Sequence, residues 1–291
     1  MRVGMIGLGN IGGHLATNLV ADGHEVTVYD VDAARAAAID GAKTATSVAD
    51  VGAATEVTLL SLPTPKIVRE VAEEWATAAP AGAILVDLST NSPEVVRDLG
   101  ARLATTGHRL VDAPLTGGSP GAENRMLVFM VGGEDDAVAT AREVIDPLGR
   151  ATFHMGELGL GNTMKLVNSL LAFTTTWVSL EGLSLASKSG IPVQRAVEVF
   201  RTGGAGNFYL DRMVEGIDTR GRPTSFALEL AAKDAGLIVE MGRAVGVPTP
   251  AGAAVLQVLV GAVAAGLGDA DWTELPTAAE RQGGLELRWD A

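Results

Sequence analysis

The chain contains no cysteine among its 291 residues, which excludes disulfide bonds, thiolate metal sites and cysteine nucleophiles. It is also poor in cations, since 22 Lys and Arg residues stand against 35 Asp and Glu residues and the formal net charge is −13. Neutralising nucleic-acid phosphates requires clustered cations, so this balance argues against a nucleic-acid surface. We therefore expect small-molecule chemistry without a metal ion.

The chain also lacks an obvious membrane segment. One uncharged stretch, residues 251–267, raises the question, but its short length and its many alanines and glycines are typical of a buried helix in a close helix–helix contact. The first predicted strand begins at Arg2, so we expect no signal peptide. These features predict a soluble, cytoplasmic protein with no membrane contact.

The chain length and the pattern of hydrophobic residues predict two domains. Up to about residue 155, short apolar runs alternate with helical patterns, which is typical of an α/β fold with a mainly parallel sheet. The strand candidates are 57–62, 84–88, 109–111, 127–131 and 152–155, and the helix candidates between them are 66–78, 93–105 and 135–148.

Beyond Gly161 the pattern becomes helical. Residues 162–189 contain no proline and only one glycine, Gly182, and further helical patterns cover 192–202, 225–245 and 250–266. The change of period predicts an α/β domain over residues 1–161 and an all-α domain over residues 162–291.

A glycine-rich segment near the N-terminus indicates a dinucleotide site. This glycine loop consists of Gly7, Leu8, Gly9, Asn10, Ile11 and Gly12. It follows a strand-like run, 3–6, and opens a helix-like stretch, 14–21, which is the context that the pattern requires. The first glycine permits the tight turn, the second lets backbone approach a pyrophosphate, and the third lets helix and strand pack closely. The first domain is therefore predicted to be a Rossmann dinucleotide-binding domain.

An acidic residue after the second predicted strand, 25–29, indicates which dinucleotide binds. Asp30 lies about where the ribose-binding carboxylate of such domains is expected. A carboxylate accepts hydrogen bonds from a ribose 2′-OH but repels a 2′-phosphate. No arginine follows at once, since the next residues are Val31 and Asp32. NAD is therefore favoured over NADP.

A lysine near the start of the long helical stretch is the candidate for chemistry. Lys165 lies in the first turn of the predicted helix, where the helix dipole disfavours a cation, and its neighbours are apolar. Asn168 and Ser169 follow three and four residues later, so the three side chains can share one helix face. Two interpretations remain open at this point. Lys165 is either a snorkelling lysine, or a base whose pKa of ~10.4 is lowered by burial and by a cationic nicotinamide, with Asn168 or Ser169 orienting the substrate oxygen.

These residues belong to a series of motifs that covers nearly the whole chain. In order they are the glycine loop, Leu62-Pro63, Asp87-Leu88-Ser89-Thr90 with Pro93, Asp112-Ala113-Pro114-Leu115-Thr116-Gly117-Gly118, Gly159-x-Gly161 with Lys165 and Asn168, Lys233-Asp234, and Gly268-Asp269-Ala270-Asp271-Trp272. In this series the chain resembles the β-hydroxyacid dehydrogenase family, which includes 3-hydroxyisobutyrate dehydrogenases and tartronate semialdehyde reductases.

The resemblance implies roles for the matched residues. Lys165 would be the catalytic acid/base, with Asn168 beside it. The segment Thr116-Gly117-Gly118 would bind the substrate carboxylate, because a glycine pair exposes backbone N–H donors. Besides the glycine loop and Asp30, the cofactor-binding residues would be Leu62, Pro63, Thr90 and Lys233.

The chain departs from the family pattern near the expected substrate. Thr116 stands where serine is frequent, and Arg125 and Met126 stand where glycine and threonine are common. Ser169 replaces a second asparagine and is expected to contact substrate. Arg125 is either an extra cation for a second carboxylate or phosphate of the substrate, or a side chain in solvent.

The function implied is the NAD-dependent interconversion of a small β-hydroxyacid and its semialdehyde or keto form. Two alternatives are an imine reductase of the same fold, whose members generally lack the lysine, and a protein that senses a dinucleotide without turnover. The small-residue helix at 251–267 needs a large partner surface, so we also expect a homodimer or homotetramer formed through the helical domains.

Overall fold

The computed structural model describes residues 1–289 and divides into two compact units, of which the first ends at Leu166 and the second begins at Val167. The described part of the first unit contains one nine-stranded sheet. Its strands are β1 (Arg2–Ile6), β2 (Glu25–Tyr29), β3 (Lys43–Thr44), β4 (Val57–Leu60), β5 (Ile84–Asp87), β6 (Arg109–Asp112), β7 (Leu115–Thr116), β8 (Leu127–Gly132) and β9 (Gly149–Gly156). The predicted α/β fold is confirmed.

The strand order places the ends of the central strands side by side. The order is β3-β2-β1-β4-β5-β6-β8-β7, with β9 paired to β8. All neighbours from β3 to β6 run parallel, β8 is antiparallel to β6 and β7, and β9 is parallel to β8. The direction of winding reverses between β1 and β4, and in such sheets ligands bind at the carboxyl ends of the strands beside that point.

Alternate residues of the strands enter two hydrophobic clusters, one on each face of the sheet. Met5 of β1 packs in one cluster and Ile6 in the other, and Leu59 and Leu60 of β4 divide in the same way. This alternation follows from the two-residue period of a strand and explains why the central strands are apolar throughout. The helices of this unit are α1 (Gly12–Ala21), α2 (Ala33–Ala37), α3 (Val48–Ala54), α4 (Pro65–Ala76), α5 (Pro93–Ala104), α6 (Gly118–Glu123) and α7 (Asp135–Ile145).

Helix α4 shows how local sequence defines these elements. The Thr64 side chain caps its N-terminus by accepting a hydrogen bond from the Ile67 backbone N–H, and Pro65 occupies the first turn. Val68 and Trp75 are fully buried on one face. The Trp75 indole N–H donates to the hydroxyl of Thr58 at 2.9 Å, so the ring is buried without losing its hydrogen bond.

The second unit is helical, as predicted. Helix α8 (Leu160–Lys188) begins in the first unit and continues into the second. It is followed by α9 (Val193–Gly203), α10 (Phe208–Asp218), α11 (Leu228–Ala244), α12 (Pro250–Ala262) and α13 (Leu275–Gly283).

Helix α12 differs from the prediction in length and in burial. The α-helix ends at Ala262 and passes into a π-helical turn, Val263–Leu267, in which Gly266 adopts a φ of 84°. The expectation of a buried helix is wrong for the single chain, because only 22% of Pro250–Leu267 is buried. By length and composition alone this stretch is also able to cross a membrane. Its buried face carries Gly252, Val255, Leu259 and Ala262.

Candidate functional site

The glycine loop joins β1 to α1 as the sequence predicts. Gly7 has a φ of 88°, in the left-handed region that favours glycine, and a Cβ there would collide with the Ser61 carbonyl oxygen. A Cβ on Gly12 would collide with the Gly7 carbonyl oxygen. Gly9 differs, because among the described residues beyond its chain neighbours only the Arg35 Nη1 atom lies within 4 Å of its Cβ position, at 3.7 Å. The loop is therefore closed at its first and third glycines and open at the second, where a pyrophosphate would approach.

Asp30 lies directly after β2 and faces the glycine loop. Its Oδ2 accepts a hydrogen bond from the Leu8 backbone N–H at 2.6 Å, and its Oδ1 accepts one from the Asp32 backbone N–H at 2.8 Å. Because two carboxylate oxygens offer about four acceptor positions, both remain able to accept bonds from ribose hydroxyls.

One cation near this position was not predicted from the sequence. Arg35, in the first turn of α2, forms an ion pair with Asp32 at 3.4 Å and extends its guanidinium toward Gly9. Arg35 is five residues after Asp30, so the sequence next to Asp30 does not reveal it. The first turn of α2 places its side chain near the glycine loop.

The segments that follow β4 and β5 are held together by a hydroxyl. The Leu62 backbone N–H donates to Ser89 Oγ at 2.9 Å, and Pro63 follows as an exposed residue. Ser89 is buried, and Thr90 beside it is half-buried. The structure thus brings the predicted cofactor residues Leu62 and Thr90 into neighbouring segments at one edge of the sheet.

The predicted carboxylate-binding segment follows β6. Thr116 ends β7, Gly117 has a φ of 128° and Gly118 has a φ of 63°. Both glycines therefore adopt backbone conformations that other residues rarely take. Thr116 and Gly118 are half-buried and Gly117 is exposed.

Helix α8 carries the candidate catalytic lysine. The helix begins at Leu160, so Lys165 lies in its second turn and the prediction of a first-turn position is wrong. The side chain is half-buried, between exposed Met164 and fully buried Leu166. Asn168 is half-buried and Ser169 is 3% exposed, and helical spacing places both on the face that carries Lys165.

A buried carboxylate caps the N-terminus of α8. Asp112, the last residue of β6, accepts hydrogen bonds from the Gly159 N–H at 2.8 Å, the Asn162 N–H at 2.7 Å and the Asn162 side-chain amide at 3.2 Å. The Asn162 Oδ1 in turn accepts from the Asn91 backbone N–H at 2.7 Å. Sequence reasoning recognised Asp112 as part of a motif but missed this cap, for which the signal is an aspartate that ends a buried strand.

A second buried carboxylate lies in register with the first on the neighbouring strand. Asp87 ends β5 opposite Asp112 and accepts hydrogen bonds from the Ser89 backbone N–H and the Asn91 side chain. Burial raises the pKa of Asp87 to about 6, and the nearby charge of Asp112 adds to the increase. Burial likewise raises the pKa of Asp112 to about 6, against its hydrogen bonds from Gly159 and Asn162.

In the second unit, Lys233 lies on α11. Its Nζ atom is 3.0 Å from Oδ1 of Asp234, which is 2% exposed. The pair is therefore partly withdrawn from water, since the Lys233 side chain is 23% exposed and that of Asp234 is 3% exposed.

Arg125 has a structural set of partners in the first unit. It adopts a φ of 58° and pairs with Asp22 at 2.8 Å. Its guanidinium also donates to the carbonyl oxygens of Pro147 at 3.0 Å and Asn18 at 3.3 Å. These contacts join the segment after α6 to α1 and to Pro147, a structural role that neither sequence-based interpretation included, and they leave the Arg125 side chain 34% exposed. Met126 beside it is 49% exposed.

Sequence comparison finds a family model for each of the two parts of the chain. Residues 2–156 match the family model of the NAD-binding domain of 6-phosphogluconate dehydrogenase, and residues 159–278 match the model described as NAD-binding of NADP-dependent 3-hydroxyisobutyrate dehydrogenase. The chain belongs to the β-hydroxyacid dehydrogenase family. As a member of it, the protein is an NAD(P)-dependent dehydrogenase that acts on hydroxyl groups.

Curated relatives and solved structures support this membership. The chain is 31% identical to 2-(hydroxymethyl)glutarate dehydrogenase of Eubacterium barkeri, over 99% of this chain and 97% of that protein. It is 33% identical to 3-hydroxyisobutyrate dehydrogenase of Pseudomonas aeruginosa, over 86% and 88% respectively. The structure of Mycobacterium tuberculosis 3-hydroxyisobutyrate dehydrogenase with L-serine superposes with a TM-score of 0.84 at 30% identity, covering 95% of this chain and 98% of that one. Imine reductases share the fold at lower TM-scores and below 25% identity, a likeness that concerns architecture alone.

Proposed function

We propose that this β-hydroxyacid dehydrogenase interconverts a 3-hydroxypropanoate substituted at carbon 2 and the corresponding semialdehyde, with NAD as the preferred dinucleotide. The observation that carries the proposal is the position of Lys165 near the start of α8. Hydrogen bonds to Asp112 fix the first turn of this helix to the end of β6, and a hydrogen bond from Asn91 links it to the Thr90–Asn91 segment after β5. The imine reductase alternative is disfavoured, since Lys165 is present.

The first unit fits a dinucleotide at its glycine loop. The open side of Gly9 admits a pyrophosphate, and Asp30 offers acceptors to the adenosine ribose. Leu62, Pro63 and Thr90 follow the next two strands and are proposed to bind the nicotinamide half, with Lys233 as a further binding residue. When bound, the oxidised cofactor supplies a hydride acceptor and the reduced cofactor a hydride donor.

Lys165 is proposed to move the hydroxyl proton. In oxidation its neutral amine accepts the proton from the substrate oxygen while hydride leaves the carbinol carbon, and a C=O bond forms. In reduction its ammonium returns that proton to the oxygen. Asn168, one turn later, is proposed to orient the same oxygen by hydrogen bonding.

Thr116, Gly117 and Gly118 are proposed to hold the substrate carboxylate. Two consecutive glycines with positive φ leave the backbone N–H groups free of side-chain obstruction, and the threonine hydroxyl adds a donor. Ser169 is proposed to contact the substrate from α8. For Arg125, the contacts of its guanidinium with Asp22 and two carbonyl oxygens favour a structural role over the predicted contact with substrate.

The names of the relatives suggest the shape of the substrate. Three of these names share one skeleton, in which a CH2OH group and a carboxylate are bonded to the same carbon. The three molecules, 3-hydroxyisobutyrate, L-serine and 2-(hydroxymethyl)glutarate, differ only in the third substituent of that carbon. A site that binds the carboxylate and the hydroxyl therefore recognises the groups that these molecules have in common. We propose this shared skeleton as the substrate class of the present chain.

The decisive experiment is a kinetic panel with NAD and with NADP. It contains 3-hydroxyisobutyrate, L-serine, 2-(hydroxymethyl)glutarate and hydroxyacids without the primary alcohol, together with imines and amines. The proposal predicts turnover of the first group, loss of at least about 10³-fold in kcat for Lys165→Ala, and unchanged NAD affinity in that variant. Turnover of imines alone, or retained activity in Lys165→Ala, would contradict it.

We further propose that the protein is cytoplasmic and assembles as a homodimer or homotetramer through its helical units. Leu171, Val178 and Leu185 recur every seven residues along α8 and are 61%, 60% and 71% exposed. Helix α12 adds a second poorly covered apolar surface. Exposed apolar surface of this extent is typical of an interface between subunits.

A further inference from the structure

The first turn of α8 has no capping side chain of its own. The residue before the helix is Gly159, so the usual Ser, Thr, Asp or Asn at this position is absent. Its place is taken by Asp112, which is 47 residues before Gly159 and 50 before Asn162 in the chain. The helix that carries Lys165 therefore begins where a distant carboxylate fixes it.

Asn162 extends this cap to the segment that follows β5. It is fully buried, and its side chain donates to Asp112 while accepting from the backbone N–H of Asn91. Asn91 is the residue after Thr90, the proposed nicotinamide contact. One amide group thus joins the start of the lysine-bearing helix to the cofactor segment.

The backbone around Asp112 leaves no room for adjustment. A Cβ on Gly132 would lie 2.5 Å from Asp112 Oδ1, and one on Gly161 would lie 2.9 Å from Asp112 Oδ2. The same Cβ on Gly161 would also lie 2.8 Å from the Asp112 carbonyl oxygen. Since Gly161 is in the first turn of α8, the helix backbone contacts the strand end directly.

We propose that Asp112 and Asn162 are positioning residues for Lys165, and that they keep the amine at a fixed distance from the Thr90–Asn91 segment. Lys165 lies three residues after Asn162, so its Cα is about 4.5 Å further along the helix axis. A shift of the first turn is therefore transmitted to the lysine within one turn. This inference rests on the proposed function, in which Lys165 exchanges the proton of the substrate hydroxyl.

The main test is Asp112→Asn, which preserves shape but places an NH2 group opposite an N–H donor of either Gly159 or Asn162. We expect kcat to fall by about 10- to 100-fold, because small misplacement of a catalytic group has costs of this order, while the KM for NAD changes by less than about twofold. In a Lys165→Ala background the same substitution should reduce the residual rate no further, since its effect passes through the lysine. Amide hydrogen exchange of Gly159 and Asn162 should accelerate in Asp112→Asn.

A milder variant, Asn162→Ser, tests the same link if Asp112→Asn does not fold. Asn162→Ser keeps the backbone donor to Asp112 and supplies a hydroxyl donor, but it shortens the link to Asn91. We expect a smaller decrease of kcat in the same direction. The matched control is Thr58→Val, which removes buried hydrogen bonds to Trp75 and Thr55 within the same unit. Neither of these two bonds involves a residue of α8. It should lower the Tm and leave kcat unchanged.

The outcomes separate this inference from the function on which it rests. If the wild-type enzyme oxidises none of the hydroxyacids, the proposed function fails and the positioning role fails with it. If Lys165→Ala is inactive while Asp112→Asn and Asn162→Ser keep wild-type kcat, only the positioning role is overturned. A decrease of kcat in Thr58→Val as large as that in Asp112→Asn at equal Tm also overturns it, because the effect would then be one of general stability.

Discussion

The Asp30 carboxylate accepts a hydrogen bond from the Leu8 backbone N–H, at 2.6 Å, and this bond holds the acid against the glycine loop. A 2′-phosphate at the same place would meet a fixed negative charge. The Arg35 Nη1 atom lies 3.7 Å from the Cβ position of Gly9 and supplies an attraction that opposes this repulsion. The preference between NAD and NADP is therefore expected to depend on this one pair of opposite charges.

Asp30→Ser should shift the kcat/KM ratio of NADP to NAD by at least about tenfold toward NADP, or ~1.4 kcal/mol, because the repulsion disappears while Arg35 remains. Adding Arg35→Ala should remove the gain. Steady-state kinetics with both cofactors measures the ratio. The control is Asp40→Ser, which removes an exposed carboxylate of the same region. A wild-type enzyme that prefers NADP would show that Arg35, and not Asp30, dominates.

Asp87→Asn should change the pH dependence of stability. The folded-state pKa of Asp87 is about 6, above the ordinary value of 3.8, so its contribution to stability is complete below pH 3.8 and is lost as the pH rises through 6. Relative to wild type, the variant should therefore gain about 3 kcal/mol of unfolding free energy between pH 4 and pH 7. The partner side chain can adapt, since a rotated Asn91 amide presents its buried Oδ1, which lacks a hydrogen bond among the described residues, to the new NH2 group.

Denaturant unfolding at a series of pH values measures this difference. Asp40→Asn, which neutralises an exposed carboxyl, should give a nearly constant difference from wild type over the same range. A constant difference for Asp87→Asn as well would mean that the buried pair does not titrate in this window.

Arg125→Gly should affect stability and leave substrate preference unchanged. Glycine accepts the φ of 58°, so the substitution tests the side chain without straining the backbone. Loss of a partly exposed ion pair with Asp22 and of two hydrogen bonds should cost about 1 kcal/mol. In a double-mutant cycle with Asp22→Asn the two losses should not add. A changed ranking of the hydroxyacids would instead return Arg125 to the substrate site.

Val178→Lys should dissociate the proposed assembly, because it places a charge in the middle of the exposed apolar row on α8. Light scattering should give at least twice the chain mass of 29.8 kDa for wild type and a smaller value for the variant. Val31→Lys is the control, since Val31 is 93% exposed on the other unit and should leave the mass unchanged. A wild-type mass of one chain would rule out the assembly.

The sequence predicted those features that depend on neighbours along the chain. The period of the apolar residues gave the bounds of β2, Glu25–Tyr29, and the glycine spacing gave the turn from β1 to α1. It did not predict the start of α8, because the cap comes from Asp112 on a strand that only the folded sheet brings close. The partner of Arg125 was equally hidden, since Asp22 lies 103 residues away. Exposure of α12 depends on what surrounds the single chain, and local sequence does not contain that information.

The shared amide of Asn162 has a consequence for anyone who wishes to redesign this enzyme. A larger alcohol would require a shift of the proposed base, Lys165, and a different nicotinamide analogue would require a change in the proposed contact at Thr90. The Asn162 carboxamide is bonded both to Asp112, at the start of α8, and to Asn91, in the segment after β5. A library that varies one of these two segments while Asn162 is unchanged therefore samples only backbones that suit the other segment. Libraries that diversify residues 90–91, 112 and 162 together would explore geometries that stepwise mutagenesis does not reach.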